Sequence, residues 1–289
     1  MDRIATPSRT KNIIRKHDFF FSKSLGQNFL IDSNITTNMI EKIGIDCRDN
    51  VIEVGPGIGS LTQVISEHVK KVVVVEIDKK LIPILKETLS ENDNVEIIHD
   101  DILKIDLHKL VETEFDNEKI KVIGNLPYYI TTPIIMRFLE EKVPVEQLVF
   151  MVQKEVAERM QAKPSTKQYG TLSIAVQYYC DVKIIMKVPP TVFLPQPKVE
   201  SSIIKLDVLR QPRVSIKDEK LFFRIVKDAF GKRRKTLLNA LSSGHLQLDK
   251  SLLKKVFDIC EIDGGRRGET LSIEEFAMLT NTVLESLEL

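Results

Sequence analysis

The sequence lacks the features that mark membrane and secreted proteins. Its 289 residues contain no apolar run of the ~18 residues that a transmembrane helix needs. The N-terminus carries Arg and Lys at positions 3, 9, 11, 15 and 16, but it has no apolar segment of the kind found in signal peptides. We therefore expect a cytoplasmic protein that does not enter a membrane.

Cysteine and histidine are also scarce. The three cysteines, Cys47, Cys180 and Cys260, lie far apart, and an odd number of scattered cysteines does not predict a disulfide framework. The five histidines show no spacing typical of metal ligands. We expect reduced, structural thiols and no metal site.

Charge of neither sign dominates, since 42 Lys and Arg balance 41 Asp and Glu to a net charge of +1. This sum argues against a nucleic-acid partner, but the charges are unevenly distributed. Residues 210–240 hold ten Lys or Arg against three Asp or Glu, and four of the ten form "KRRK" at 232–235. A basic surface of this kind is consistent with phosphate binding, although a solvated helix face would have the same composition.

Short β-branched runs alternate with amphipathic segments between residues 50 and 209. The runs are "VIEVG", "VVVVEID", "VEIIHD", "IKVIGN" and "LVFMV". This alternation is typical of βαβ units and predicts an α/β domain with a mostly parallel, doubly wound sheet. "TLSIAVQYYCDVKIIMKV" and "ESSIIKLDVL" predict further strands with an antiparallel edge, because no long helix separates them.

The pattern changes at "RQPRVSIKDE", which contains a proline and a predicted helix N-cap, Ser215, followed by Asp218 as in a capping box. Beyond it the periodicity predicts helices, the last opened by Ser272 with Glu275 three residues later. We therefore predict three segments. They are a loose basic extension (1–20), an α/β catalytic domain (21–209) and a small all-helical domain (210–289).

"VIEVGPGIGSLT" places Gly55, Gly57 and Gly59 after a predicted buried strand and at the start of a predicted helix. Glycine lets the backbone approach a ligand closely, and a helix N-terminus presents free N–H groups. The arrangement predicts a nucleotide-type pocket at the carboxyl end of the strand. The alternative is a glycine-rich turn that binds nothing.

Acidic residues follow at the ends of the next two strands. Glu76 lies 21 residues after Gly55, where an acidic residue can bind ribose hydroxyls of either NAD or S-adenosylmethionine. The glycine spacing G-x-G-x-G and the preceding Glu53 favour S-adenosylmethionine. Asp101, in "HDDI", could accept a hydrogen bond from an adenine amine, although a helix cap explains its position equally well.

"GNLPYYITTP" places Asn125 at the carboxyl end of the predicted fourth strand, beside the same pocket. An adenine amine is a poor nucleophile because its lone pair is delocalised. The side-chain carbonyl of Asn125 and a backbone carbonyl near Leu126 and Pro127 could each accept one amine hydrogen and localise that pair. Pro127 fixes φ and holds Leu126 extended, and Tyr128 offers a ring face to the base. The alternative is a simple turn.

These motifs together resemble the ribosomal RNA adenine N6-dimethyltransferases over nearly the whole chain. "SLGQNFLID", "VFLPQPKVESSIIKL", "FGKRRKTLLNAL" and "RRGETLSIEEFAML" complete the family order. The resemblance implies a Rossmann-like class I methyltransferase sheet with S-adenosylmethionine as cofactor and no metal. It implies these cofactor-binding residues: Asn28, Leu30, Gly55, Glu76, Asp101 and Asn125. The catalytic residues that it implies are Asn125, Leu126, Pro127, Tyr128 and Phe193.

Phe193 has a particular role in this resemblance, which places its ring against a flipped target base opposite Tyr128. Core packing is the alternative for this residue. The basic residues Arg233, Arg234 and Lys235 would face RNA phosphates, together with the loop 163–170.

The family transfers two methyl groups to each of two adjacent adenines in the 3′-terminal hairpin loop of small-subunit (16S) rRNA. The resemblance therefore implies small-subunit rRNA, or an immature small ribosomal subunit, as the partner of a monomeric enzyme. Three alternatives stay open. They are a large-subunit rRNA dimethylase of the macrolide-resistance type, whose loop more often reads Asn-Ile-Pro-Tyr where this chain has Leu126, a non-catalytic RNA- or DNA-binding factor, and an NAD oxidoreductase.

Overall fold

The structure is a computed structural model that describes residues 2–22, 25–127 and 129–287. Tyr128, one of the predicted catalytic residues, lies outside the described residues. Within these three stretches, no helix combines the length and apolar character needed to cross a bilayer. The same stretches contain no group of His, Cys, Asp and Glu side chains placed to hold a metal ion.

The chain divides into two compact units. One comprises Met1–Ala157 and Val182–Val208, and the other comprises Glu158–Asp181 and Leu209–Leu289. The chain crosses between the units at residue 209, where the sequence predicts a boundary. Residues 158–181 differ from the prediction, because they join the second unit although their sequence was assigned to the α/β segment.

The strands belong to two sheets. In chain order they are β1 (Phe29–Leu30), β2 (Asn50–Val54), β3 (Lys71–Glu76), β4 (Val95–His99), β5 (Ile120–Asn125), β6 (Val145–Gln153), β7 (Cys180–Val188), β8 (Phe193–Leu194) and β9 (Ser201–Val208). β1 pairs antiparallel with β8. The described residues of the other strands form a seven-stranded sheet in the order β4-β3-β2-β5-β6-β9-β7.

The large sheet has the predicted topology. β4, β3, β2, β5 and β6 pair in parallel, and β9 adds to β6 in the antiparallel direction. From β2 the chain first adds β3 and β4 on one side and then returns to place β5 on the other. In open α/β sheets, ligands bind outside the carboxyl ends of strands at such a reversal. The Rossmann-like fold is thus confirmed, and it directs attention to the ends of β2 and β5.

Helices connect the strands and build the second unit. Those of the first unit are α1 (Pro7–Lys16), α2 (Ser33–Ile43), α3 (Thr62–Ser66), α4 (Ile82–Thr88), α5 (Leu107–Phe115) and α6 (Thr131–Glu140), and α7 (Lys154–Gln161) runs across the division. The second unit contains α8 (Thr171–Tyr179), α9 (Glu219–Gly231), α10 (Leu237–Ser242), α11 (Lys250–Ile259) and α12 (Ile273–Leu287). The predicted helical character of the C-terminal part is confirmed.

The prediction of a strand over residues 171–179 is wrong, because these residues form α8 and the strand begins at Cys180. The Tyr178 ring lies 5.4 Å from that of Phe222 on α9, and the Tyr179 hydroxyl donates to Glu219 Oε1 at 2.5 Å. Apolar and aromatic residues that pack in this way satisfy a helix face as well as a strand face. Tertiary contacts therefore override the β-like composition.

The predicted N-cap at Ser215 is also wrong. Asp218 is the cap of α9, and its Oδ1 accepts the Leu221 amide at 2.9 Å. The capping box of α12 is confirmed, since the Ser272 amide donates to Glu275 Oε2 at 2.7 Å and the Glu275 amide donates to Ser272 Oγ at 3.2 Å.

The N-terminal residues differ from the loose extension that the sequence predicts. Thr6 caps α1, and the side chains of Ile4, Ile13 and Phe19 are at most 6% exposed. They pack in one apolar cluster with residues of α4. This segment is therefore part of the packed first unit.

Candidate active site

A cavity opens at the carboxyl ends of β2, β3, β4 and β5. Its volume is about 110 Å³, counted as the space open to the centres of water-sized spheres. Its lining comes mainly from residues 25–30, 53–58, 75–77, 100–102 and 125–127. The sheet thus brings together the predicted site residues Asn28, Leu30, Gly55, Glu76, Asp101, Asn125, Leu126 and Pro127.

The glycine turn after β2 forms one wall of the cavity. Gly55, Gly57 and Gly59 have φ values of 67°, 62° and 88°, a left-handed conformation that side chains disfavour. A Cβ on Gly55 would meet no atom within 4 Å, so this glycine faces open space. A Cβ on Gly57 would lie 3.0 Å from the Phe29 ring. The helix begins later than predicted, at Thr62.

Two buried carboxyl groups lie below the turn. Glu53 is 1% exposed, and its Oε2 has no hydrogen-bond partner among the described residues. Burial raises the pKa of Glu53 to about 8; the Thr62 side chain opposes this rise, and the charge of Glu76 contributes to it. Because an ionised carboxylate is costly to bury, this part of the cavity favours a cationic or hydrogen-bond-donating ligand.

Glu76 ends β3 and is 4% exposed. Its Oε1 accepts the Asp78 amide at 2.8 Å, and its Oε2 accepts the Gly57 amide at 3.3 Å. Burial raises the pKa of Glu76 to about 7, and these amide hydrogen bonds oppose the rise. The carboxyl group is thereby fixed in orientation next to the glycine turn, where a ribose hydroxyl could donate to it.

Asp101 lines the cavity and also stabilises the turn after β4. Its Oδ1 accepts the Leu103 amide at 3.0 Å, and its Oδ2 lies 3.4 Å from the Lys104 ammonium. Because the next helix, α5, begins at Leu107 and is capped by Asp106, Asp101 is not a helix cap. Its contact with an adenine stays a prediction.

Asn125 lies at the end of β5, and its Nδ2 donates to the backbone carbonyl of Asn28 at 2.8 Å. A carbonyl can only accept, so this bond sets which end of the amide is Oδ1. Among the described residues, no hydrogen bond reaches Asn125 Oδ1. The side chain therefore offers an oriented, unused acceptor at the cavity.

The two backbone carbonyls beside Asn125, those of Leu126 and Pro127, differ in their hydrogen bonds. The Pro127 carbonyl accepts the Ile130 amide at 3.1 Å and the Thr131 hydroxyl at 3.3 Å, because it begins the turn into α6. No described residue donates to the Leu126 carbonyl. Of the two carbonyls that the sequence leaves open, that of Leu126 is the one with free hydrogen-bonding capacity.

Phe193 is not among the residues that line the cavity. It is 3% exposed, pairs with Leu30 between β1 and β8, and belongs to the apolar core that also contains Val188 and Val192. This position favours the core-packing alternative in the described conformation. Stacking of Phe193 on a target base stays a prediction.

Gln27 is a cavity residue that the sequence did not single out. Its Oε1 accepts the Ser22 amide at 2.8 Å, and its Nε2 donates to Asp78 Oδ2 at 2.8 Å. It thus fastens the segment 25–30 to the end of β3. Its place inside "SLGQNFLID", directly before the predicted cofactor residue Asn28, is the only signal that the sequence offers.

Comparison with known proteins now identifies the family. The sequence model described as "Ribosomal RNA adenine dimethylase" matches residues 19–279. The chain belongs to the ribosomal RNA adenine dimethylase family. It is 63% identical to the "Ribosomal RNA small subunit methyltransferase A" of Alkaliphilus oremlandii, over 99% of this chain and 100% of that protein. The protein of the same description from Clostridioides difficile is 53% identical, over 98% of each chain.

Two solved structures have folds similar to that of this chain. A dimethyladenosine transferase from Plasmodium falciparum is 25% identical with a TM-score of 0.75, over 87% of this chain and 95% of that one. The 23S rRNA methyltransferase ErmE is 23% identical with a TM-score of 0.66, over 88% and 99%, which shows a shared fold.

Members of the ribosomal RNA adenine dimethylase family are S-adenosylmethionine-dependent methyltransferases, and this chain is one of them. The cavity fits that cofactor. Gly55 leaves open space where any side chain would project, and the unpartnered Oε2 of Glu53 is suited to a cation. The individual contacts of the cofactor stay predictions.

Proposed function

We propose that this enzyme dimethylates N6 of two adjacent adenines in the 3′-terminal hairpin loop of small-subunit rRNA, as a monomer acting on an immature small subunit. The relatives at 63% and 53% identity, both described as small-subunit methyltransferases, support this substrate over large-subunit rRNA. A substrate of this kind places the reaction in the cytoplasm. The product would be N6,N6-dimethyladenine.

The hydrogen bond from Asn125 Nδ2 to the Asn28 carbonyl carries the mechanistic part of the proposal. It presents Oδ1 as a fixed acceptor, and the Leu126 carbonyl supplies a second. Two acceptors that each take one N–H of an adenine amine draw the nitrogen toward tetrahedral geometry and localise its lone pair. Because both acceptors are held before the base enters, little reorganisation is needed in the transition state.

The donor would occupy the other half of the cavity. Gly55 would contact its methionine part, Glu76 its ribose and Asp101 its adenine, with Asn28 and Leu30 closing the pocket. Bound there, S-adenosylmethionine supplies an electrophilic methyl group on a positively charged sulfur. The buried carboxyl group of Glu53 would face a cationic ligand, whose positive charge would stabilise the ionised carboxylate.

Proton removal needs no strong base. An adenine amine that has gained a methyl group is acidic enough to release its proton to water. The described cavity lining accordingly contains carboxyl, amide and carbonyl groups but no histidine. In the second transfer the amine has one N–H left, so only one of the two acceptors can bind it, and the first methyl group would lie beside the other.

The basic segment of the second unit would contact RNA phosphates, but its four residues have different surroundings. Arg233 donates to the Lys167 carbonyl at 2.9 Å and lies 3.3 Å from Glu269, so it ties the loop 163–170 to the segment. Lys232 donates to the Ser243 carbonyl and hydroxyl, both at 2.8 Å. All four residues are exposed, but among the described residues no hydrogen bond or ion pair is found for the side chains of Arg234 and Lys235, which are therefore better placed to bind phosphates.

The test is to incubate the enzyme with labelled methyl donor and either immature small subunits or bare large-subunit rRNA, and to map the labelled base. We expect dimethylation of two adjacent adenines of small-subunit rRNA. Label on large-subunit rRNA would support the macrolide-resistance alternative and contradict the proposal. Tight particle binding with no label on either RNA would support a non-catalytic assembly factor.

A further inference from the structure

We propose that residues 2–22, here called the N-terminal clasp, position the wall of the methyl-donor cavity, so that donor affinity depends on them. The clasp lies almost entirely before residue 19, where the family match begins. The inference deepens the proposed function and rests on the donor occupying this cavity. Three sets of contacts within the first unit support it.

The first set joins the clasp to α3, which follows the glycine turn. The Ile4 amide donates to Gln63 Oε1 at 3.0 Å, and Gln63 Nε2 donates to the Asp2 carbonyl at 3.2 Å. Gln63 is 1% exposed. Without the clasp, the amide of Gln63 would lose both of these partners, so the clasp fixes the orientation of this side chain at the start of α3.

The second set supports the back of the cavity wall. Ile4, Ile13 and Phe19 of the clasp share one apolar cluster with Ile58 and Leu81. Ile58 and Leu81 also line the cavity. The clasp therefore packs in the same cluster as two side chains that the donor would meet.

The third set fixes the Phe29 ring. The centroids of Phe19 and Phe21 lie 5.7 and 5.1 Å from that of Phe29, and those of Phe19 and Phe21 lie 5.7 Å apart. Phe29 lines the cavity, and its ring comes within 3.0 Å of the position that a Cβ on Gly57 would take. The two clasp rings thus hold Phe29 against the glycine turn.

Ion pairs contribute less to this arrangement. Lys16 lies 2.6 Å from Glu87, but their side chains are 64% and 45% exposed, and such surface pairs stabilise proteins weakly. The buried amide of Gln63 and the apolar packing are therefore the contacts that would transmit an effect to the cavity. Loss of this packing should leave a less preorganised pocket, which must be ordered at the expense of binding.

The test compares two core variants of the full-length protein. Ile13→Ala removes packing from the clasp, and Leu110→Ala on α5 is the matched control, because both side chains are 5% exposed and Leu110 neither lines the cavity nor joins the clasp cluster. Binding of S-adenosylmethionine and S-adenosylhomocysteine is measured by calorimetry at a temperature where each variant is folded, with the melting temperature recorded separately. A third variant lacks residues 2–16.

We expect both alanine variants to melt at lower temperature. Of these two, only Ile13→Ala should bind the ligands more weakly, by about fivefold. The truncated protein should bind them about tenfold more weakly, or worse. Unchanged affinity in Ile13→Ala, with a melting temperature lowered as in Leu110→Ala, would show a purely structural role and overturn the inference. If the truncated protein does not fold, the pair of point variants still decides. Failure of the unaltered protein to bind either ligand would instead overturn the proposed function and this inference together.

Discussion

The cavity of the first unit and the basic segment of the second unit represent two ways of arranging polar groups. In the cavity, the carboxyl groups of Glu53 and Glu76 are almost fully buried, and the amide of Asn125 is oriented by a backbone carbonyl. In the basic segment all four side chains are exposed; those of Arg233 and Lys232 donate hydrogen bonds within their own unit, whereas none is found for those of Arg234 and Lys235 among the described residues. Under the proposed function, methyl transfer would depend on a few fixed atoms, whereas RNA affinity would depend on accessible charge.

The largest effect is expected for Asn125→Ala, which removes the oriented acceptor. We expect the rate of methyl transfer to fall on the order of a hundredfold or more, as for other preorganised transition-state contacts. Binding to immature small subunits should persist, because it depends on the second unit and on phosphates. Single-turnover transfer and particle binding are measured side by side, with the exposed Asn34→Ala as control. Unchanged turnover in Asn125→Ala would contradict the proposed mechanism.

The next largest effect concerns the glycine turn. Gly55→Ala places a Cβ in the open space of the cavity and strains a backbone with φ of 67°. Gly44→Ala is a matched control, because Gly44 has φ of 73°, also has no atom within 4 Å of its Cβ position, and ends α2 away from the cavity. We expect similar losses of stability, roughly 1–2 kcal/mol each, but weaker donor binding in Gly55→Ala only. Equal donor affinity in both variants would contradict the predicted contact.

Much of the cavity could be predicted from the sequence, because its backbone conformation restricts which residue types can occupy key positions. Gly55, Gly57 and Gly59 form the predicted turn beside the cavity, and Glu76 and Asn125 end the strands assigned to them. Local signals suffice where a turn or a strand end permits few residue types.

The sequence-based predictions were wrong or incomplete for segments whose structure depends on contacts with residues distant in the chain. α8 has a strand-like composition but packs its tyrosines on α9. Residues 1–20 have a basic composition that hides Ile4, Ile13 and Phe19, whose burial depends on α4, more than sixty residues away. Nor could spacing show that the Pro127 carbonyl is already bonded to the turn that begins α6.

The buried carboxyl groups predict a pH effect. Burial raises the pKa of Glu53 from 4.5 to about 8, so the folded protein binds this proton more tightly than the unfolded chain does. The contribution of Glu53 to the free energy of unfolding should therefore fall as the pH rises from about 4.5 to about 8. Glu53→Gln should flatten this dependence in denaturant titrations without donor. A slope that Glu53→Gln leaves unchanged would contradict the assignment.

The smallest effect is expected in the basic segment, where substitutions of the neighbouring Arg233 and Arg234 should have different consequences. Arg234→Ala should weaken RNA binding a few-fold and reduce the slope of log affinity against log salt by about 1. Arg233→Ala should lower the melting temperature more than Arg234→Ala does, because Arg233 holds the loop 163–170. Equal salt slopes in the two variants would show that Arg233 also binds phosphate.

The central claim concerns the two acceptors at the end of β5, and a structure with S-adenosylhomocysteine and adenosine bound tests it most directly. We expect the adenosine N6 within hydrogen-bonding distance, roughly 3 Å, of both Asn125 Oδ1 and the Leu126 carbonyl. An amide of Asn125 turned so that Nδ2 faces the base, or a base bound away from Leu126, would contradict the account.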